Sequence, residues 1–157
     1  MTKRRSILSL MLAVFLLGLG FTGVVSAQPS NFRAHLSGDN EVPAVETNAT
    51  GQAIFKFSND ELQFKLIVAN VHDVFAAHIH CGVVGVNGPV GVTLFAGDLS
   101  GRFSGILNQG TISAPNEGNA CAWEDLGDVI DAIDSGGAYV NVHTDANPGG
   151  EIRGQVH

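Results

Sequence analysis

The sequence is poor in basic residues and in tryptophan and tyrosine, and this scarcity excludes several classes of protein. Among 157 residues there are eight lysines and arginines against fifteen aspartates and glutamates, and Trp and Tyr occur once each. A chain with a net charge of −7 repels nucleic-acid phosphates. No glycine-rich phosphate loop follows a predicted strand, and no Ser-His-Asp order with an elbow motif is present. We therefore expect no nucleic-acid partner and neither of those two enzyme classes.

Long hydrophobic runs are also scarce, since one run near the N-terminus stands alone. It extends over residues 7–20, follows three basic residues and precedes the small residues Val25, Ser26 and Ala27. The run is broken by glycines and falls short of the ~20 apolar residues that a membrane span requires. This pattern predicts a signal peptide over residues 1–27 and a single secreted domain over residues 28–157, in the periplasm or outside the cell. No transmembrane segment is expected after cleavage.

Cysteine is also scarce: the chain has two, Cys81 and Cys121. An even number of cysteines in an exported chain indicates a disulfide. The alternative, a thiolate metal ligand at Cys81, conflicts with strand alternation, which turns Cys81 away from the neighbouring histidines. Asn48 begins an N-glycosylation sequon, which matters only in a cell that glycosylates exported proteins.

Two histidine-bearing segments have the alternation of β-strands with one buried face. In residues 75–82, alternation predicts that Phe75, Ala77 and Ile79 point into the core and that His78 and His80 point the other way. In residues 138–144, His143 lies on the corresponding polar face. Three histidines are thus predicted to converge on one site. The pattern leaves open whether this site holds a metal, another ligand or only a hydrogen-bond network.

Copper and zinc are the metals that three neutral imidazoles suit, whereas calcium and magnesium prefer oxygen ligands. Asn141 shares the polar face of the 138–144 segment, and Glu151 and Arg153 follow in the next predicted strand. Residues paired across a hairpin share a face. These three residues are therefore predicted to lie beside the histidines and to orient them. The glycine-rich loop of residues 82–89 is predicted to fold over the same face.

The remaining pattern indicates an all-β protein. Six to eight short alternating segments are separated by turn signals, and Asn59-Asp60 is predicted to form the tight turn of a hairpin. Residues 38–43 are predicted to form an ordered loop, residues 70–73 a turn, and residues 90–114 two or three short strands. The exception is residues 124–134, where apolar residues recur with the spacing of an amphipathic helix. We predict an antiparallel sandwich or barrel with one short helix.

Several short motifs spread over residues 32–156 resemble the CHRD domain, the module named after the animal protein chordin. They include Glu41-Val42-Pro43, Ala77-His78-Ile79-His80, Asn87-Gly88-Pro89, residues 139–144 and residues 147–154. Pro43-Ala44 departs from the double proline that is usual in that family. In animals the domain occurs in an extracellular antagonist of a growth factor. The resemblance therefore implies a secreted binding or structural module, with an unknown extracellular protein or small ligand as its partner.

A weaker resemblance is to copper-zinc superoxide dismutase, a Greek-key barrel in which a His-x-His strand and a later strand supply copper ligands. This resemblance implies that the predicted all-β fold is a Greek-key sandwich or barrel of the immunoglobulin or superoxide dismutase type. His78, His80 and His143 look like three of those ligands. The histidine that bridges copper to zinc and the zinc loop have no counterpart in this sequence. The sequence is therefore compatible with three functions: a binding or structural module with a copper or zinc site, a copper-dependent oxidoreductase, and an adhesion or matrix protein with no metal site.

Overall fold

A computed structural model describes residues 30–157, and the predicted signal peptide lies outside the described residues. Six strands and one α-helix make up this part of the chain. The strands are β1 (Ser30–Ser37), β2 (Thr50–Ser58), β3 (Glu61–Cys81), β4 (Val90–Ile112), β5 (Ala138–Thr144) and β6 (Ile152–Gln155). The helix, α1, spans Leu126–Asp134, and a short 3-10 turn covers Gly38–Asn40. No helix within residues 30–157 is both long and apolar enough to cross a membrane.

The six strands form one antiparallel sheet that closes on itself. The strand order is β2-β1-β6-β5-β3-β4, and β2 also pairs with β3, which closes the ring. β4 and β5 lie on opposite sides of β3, because His80 pairs with Val90 on one side and with Tyr139 on the other. The predicted all-β antiparallel barrel or sandwich with one short helix is confirmed.

The β2–β3 hairpin shows how the sequence pattern produces this closure. Asn59 and Asp60 both have positive φ, as a two-residue hairpin turn requires, and asparagine and aspartate tolerate this conformation. The turn pairs Phe55 with Phe64 and Ala53 with Leu66. Alternate residues of both strands are buried in the core, as the pattern predicts.

β3 and β4 are longer than the sequence analysis predicts. The segment 70–73, predicted to be a turn, is part of β3, and the several short strands predicted within residues 90–114 form one strand, β4. Positive φ angles at Asn70 and Asp73 bend β3 without ending it. The two halves of β4 approach each other, since the Asn108 side chain donates to the carbonyl of Leu94 at 2.6 Å.

Simple alternation wrongly assigns one residue, Phe75, to the core. Phe75 is 37% exposed, whereas its neighbour Val74 is 1% exposed and lies in the core. The pairing register shifts between Val74 and Ala76, and such an irregularity adds a residue that breaks the period of two. The prediction for Phe75 is therefore wrong, whereas Ala77 and Ile79 are fully buried as predicted.

The long connection from β4 to β5 carries the helix and the disulfide. Asp125 caps α1 by accepting from the backbone of Asp128, and the side chain of Asp128 accepts in return from the backbone of Asp125. The apolar stripe of Leu126, Val129 and Ile133 is buried against the core. Cys81 and Cys121 form a disulfide with a Cα–Cα distance of 5.8 Å, so the predicted disulfide is confirmed.

Candidate metal centre

Two neighbouring strands bring the three histidines together. His78 and His80 lie on β3, where they pair with Asn141 and Tyr139 of β5. His143 lies on β5 two residue pairs beyond the His78–Asn141 pair, opposite Ala76. The ring centroids of the three histidines are 4.9 to 5.6 Å apart. The sequence prediction of a single histidine cluster is therefore confirmed.

Loops cover this polar face of the sheet. All seven residues of β5 are buried, although every second one is polar or aromatic and points away from the core. His80 and His143 are each 7% exposed, and His78 is intermediate. The covering includes the loops 82–89 and 145–150, because carbonyls from both contact histidine rings. The cluster is thus a largely enclosed layer above the sheet, open mainly on the side of His78.

The hydrogen bonds of His80 and His143 fix the direction of their free lone pairs. Nδ1 of His80 donates to the carbonyl of Gly88 at 2.9 Å, and Nδ1 of His143 donates to the carbonyl of Pro148 at 3.0 Å. Because a carbonyl oxygen only accepts, each Nδ1 carries the proton and each neutral ring keeps a lone pair on Nε2. The two Nε2 atoms face each other at 3.4 Å. Two unprotonated nitrogens at this distance repel each other unless a cation lies between them.

His78 is the least constrained of the three. Its Nδ1 is buried and has no hydrogen-bond partner among residues 30–157. One ligand atom from each of the three histidines lies within 4.8 Å of the others. Nitrogens bound to one ion at ~2.0 to 2.1 Å are about 3.3 to 3.6 Å apart for tetrahedral or trigonal angles. His80 and His143 already have this spacing, and His78 has to approach by no more than about 1.5 Å.

The three residues predicted to orient the histidines lie on the same face but bond elsewhere. Asn141 contacts Glu41, with Nδ2 3.4 Å from Oε2. Glu151 accepts from the hydroxyl of Thr47 at 2.7 Å. The guanidinium of Arg153 donates to Asn87 and to two carbonyls of the 82–89 loop. Within residues 30–157, backbone carbonyls make the direct hydrogen bonds to the rings of His80 and His143. The roles of Asn141, Glu151 and Arg153 beside a metal stay a prediction.

Arg153 acts on His80 through Tyr139. The guanidinium carbon lies 3.5 Å from the centroid of the Tyr139 ring, and that ring stacks on His80 with centroids 4.9 Å apart and planes 10° apart. The backbone N–H of Gly88 donates to the Tyr139 hydroxyl at 3.0 Å. Arg153 and Tyr139 therefore hold both the ring of His80 and the loop whose carbonyl orients it.

Burial keeps the three imidazoles neutral. It lowers the pKa of His80 to about 4, against an opposing effect of the hydrogen bond to Gly88. It also lowers the pKa of His78 to about 4, and the neighbouring His143 and His80 act in the same direction. The pKa of His143 is lowered chiefly by burial, which the hydrogen bond to Pro148 opposes. At neutral pH, all three rings therefore have lone pairs available for a cation.

The burial of Glu41 in this layer was not predicted, because the turn-forming residues of the 38–43 segment indicate an ordered loop and not which of its side chains are buried. Glu41 is 6% exposed, and burial raises the pKa of its carboxyl to about 7 although Arg153 opposes the shift. Its Oε1 has no hydrogen-bond partner among residues 30–157. A signal was present, since Glu41-Val42-Pro43 is one of the motifs on which the family resemblance depends.

The fold and the site together define a class of protein: a disulfide-linked antiparallel β-barrel whose outer polar face carries a histidine cluster under loops. The family model of the CHRD domain matches residues 32–156, and the chain belongs to the CHRD domain family. No curated protein and no solved structure matches the chain. Family membership and the disulfide indicate an extracellular binding or structural module.

Proposed function

We propose that this CHRD protein is a secreted module that binds a copper or zinc ion through His78, His80 and His143. The observation that supports this proposal is the 3.4 Å separation of the two Nε2 atoms of His80 and His143. Both Nδ1 atoms are occupied by backbone carbonyls, so both free lone pairs point toward the same place. Metal-binding histidines commonly donate their second ring N–H in this way, which fixes the tautomer and the ring orientation.

The donor set also matches these metals better than others. Three imidazole nitrogens suit copper and zinc, and a site with three protein ligands keeps a fourth position open for water or another small ligand. When bound, such an ion supplies Lewis acidity or, for copper, one-electron chemistry. The chain itself supplies orientation through Gly88 and Pro148 and excludes water through the covering loops.

The test is a metal titration of the metal-free protein at neutral pH. We expect the wild type to bind Cu(II) or Zn(II) with micromolar or tighter affinity by titration calorimetry, and His80→Ala to lose at least about 100-fold of that affinity. His35→Ala is the matched control, because His35 is an exposed histidine on β1. It should bind as the wild type does.

Two outcomes contradict the proposal. One is the absence of micromolar copper or zinc binding by a folded wild-type protein. The other is binding that His80→Ala retains, which would assign the metal to other groups. Either result would leave the histidine cluster with a structural role and would favour a binding or adhesion module that has no metal site.

A copper-dependent oxidoreductase is the second candidate. It is favoured by the partial exposure of His78, which leaves the open position of the cluster accessible to a small molecule. Superoxide removal by the copper-loaded protein, followed by pulse radiolysis and lost in His80→Ala, would support this function. Copper binding without any such activity would leave the protein a binding module.

Secretion is supported by the disulfide and by family membership, while the signal peptide over residues 1–27 stays a prediction. Mass spectrometry of the exported protein should find Gln28, or its cyclised form, at the N-terminus. An intact Met1 in a membrane fraction would overturn this part of the proposal.

A further inference from the structure

Arg153 is a buried cation directly behind the proposed metal site. It is 2% exposed, and the hydrogen bonds of its guanidinium within residues 30–157 go to neutral oxygens. These are the side-chain oxygen of Asn87 at 3.0 Å and the carbonyls of Val83 and Val86 at 3.1 and 2.8 Å. The Tyr139 ring separates this charge from His80. A buried charge without an ion-pair partner acts over a longer range than an exposed one, because solvent screens it less.

The histidine cluster contains no compensating charge. The group that could hold a metal within residues 30–157 consists of three imidazoles, which are neutral ligands, and includes no carboxylate. The buried carboxyl on which Arg153 acts is Glu41, and burial keeps that group largely protonated below about pH 7. Glu151 lies on the same face and accepts from Thr47. A metal ion in the cluster therefore faces a positive charge that no ligand offsets.

Repulsion from such a charge grows with the charge of the bound ion. At an effective dielectric constant of about 20, one unit charge roughly 10 Å away changes the affinity for a monovalent ion by on the order of tenfold. For a divalent ion, the repulsion energy is twice as large. The charge therefore lowers the affinity for the divalent ion about tenfold more than it lowers the affinity for the monovalent ion.

We infer that Arg153 biases the site toward monovalent copper, by lowering the affinity for Cu(II) and Zn(II) about tenfold relative to that for Cu(I). This inference rests on the proposed metal site and goes beyond it by assigning the ionic charge that Arg153 favours. Three imidazoles without a carboxylate form a sufficient ligand set for a d10 ion such as Cu(I). Arg153 is a positioning residue here, because it touches Tyr139 and the 82–89 loop and not the ion.

The experiment measures the Cu(II)/Cu(I) reduction potential of the copper-loaded protein at about pH 6, where Glu41 is protonated. Arg153→Met removes the charge and keeps an apolar side chain beside Tyr139. It should lower the potential by roughly 60 mV, which corresponds to a tenfold change in relative affinity. Chelator competition should show the same tenfold change as a gain in Zn(II) affinity relative to Cu(I).

A second variant tests the charge without removing Arg153. Asn87→Asp turns the neutral partner of the guanidinium into a carboxylate of the same size, so it should lower the potential in the same direction. This variant carries the test if Arg153→Met does not fold. Arg153→Lys keeps the charge and should keep the potential near that of the wild type. Arg33→Met, which removes an exposed arginine on β1, should leave the potential unchanged.

The outcomes separate this inference from the proposed function. If a folded wild type binds neither copper ion nor zinc, the metal site itself fails and the inference fails with it. If copper binds through His80 but Asn87→Asp leaves the potential unchanged, only the inference is overturned. A potential that falls as far in Arg153→Lys as in Arg153→Met also overturns it, because geometry and not charge would then be responsible.

Discussion

The two halves of β3 both alternate between inner and outer side chains, apart from the irregularity at Phe75, but their outer faces have different environments. In the first half, Gln63 and Lys65 point away from the core into solvent, and both are exposed. In the second half, His80 points away from the same core but is 7% exposed. The inner residues of the two halves, such as Leu66 and Ile79, are buried alike. Alternation therefore distinguishes core side chains from outward-facing ones, but it does not predict whether the outward-facing side chains are exposed to solvent.

The difference comes from the loops that lie over the second half. Gly88 contacts both His80 and Tyr139, and Pro148 contacts His143. Polar groups enclosed in this way are costly unless each one finds a partner. The second half of β3 therefore depends on close packing and on specific hydrogen bonds, whereas the first half tolerates change on its outer side.

The largest expected effect is that of adding a methyl group to Gly88, in the covering loop 82–89. A Cβ at Gly88 would lie 1.6 Å from the carbonyl oxygen of Cys81, so Gly88→Ala requires the backbone to move. We expect the free energy of unfolding to fall by about 3 kcal/mol or more, measured by urea denaturation. The copper or zinc affinity should fall with it, because the carbonyl of Gly88 orients His80.

Gly110→Ala is the control, because Gly110 lies on β4 opposite the first half of β3. Gly110 pairs with Phe64 of β3 and is exposed, and a Cβ there would lie 3.5 Å from the Phe64 ring, an ordinary contact. Its free energy of unfolding should stay within about 0.5 kcal/mol of the wild type. Equal losses in the two variants would remove the distinction between the two halves.

A smaller effect is expected in the pH dependence of stability. The pKa of His80 falls from 6.5 in the unfolded chain to about 4 in the folded one, so its contribution is complete above pH 6.5 and is lost as the pH falls through that window. The pKa of Glu41 rises from 4.5 to about 7, so its contribution is lost as the pH rises between those values. Each contribution is on the order of 1 to 3 kcal/mol.

His80 and Glu41 therefore have opposite effects on the pH dependence of stability between about pH 4.5 and 6.5. Substituting each residue in turn separates the two effects. In the metal-free protein, Glu41→Gln should leave a stability that increases from about pH 4 to 6.5 and then stays level. His80→Gln should instead make the loss of stability on the acid side smaller without removing it, because the pKa values of His78 and His143 are also lowered. Urea denaturation across this pH range measures both. Curves of the same shape for the wild type and Glu41→Gln would show that Glu41 is not the buried acid inferred from its environment.

The smallest expected effect is at Phe75, where the second half of β3 departs from alternation. Phe75 is 37% exposed, so Phe75→Ala should lower the free energy of unfolding by less than about 1 kcal/mol. Ile79→Ala, at a fully buried position, should lower it by about 2 to 4 kcal/mol. Equal losses would place Phe75 in the core, as alternation predicts.

Much of the site could be predicted because it follows from local pattern. The face shared by His78 and His80 follows from their spacing in a strand, and His143 has the same relation to its own apolar neighbours. The disulfide follows from the count of two cysteines in an exported chain. Phe75 could not be predicted, because a bulge depends on how two strands pair. Glu41 could not be recognised as buried, because the groups that enclose it come from other parts of the chain.

The sequence alone predicts strands with one apolar face, a tight turn at Asn59-Asp60, one amphipathic helix and the side of the sheet on which the histidines lie. These features depend on residues close together in the chain, where steric preference and alternation act directly. The tertiary structure alone shows that β3 and β4 are continuous and that the 145–150 loop joins the predicted 82–89 loop over the histidine face. It also brought Arg153 behind Tyr139 and His80. Such contacts join residues far apart in the chain, and their geometry is set by the packing of the whole domain.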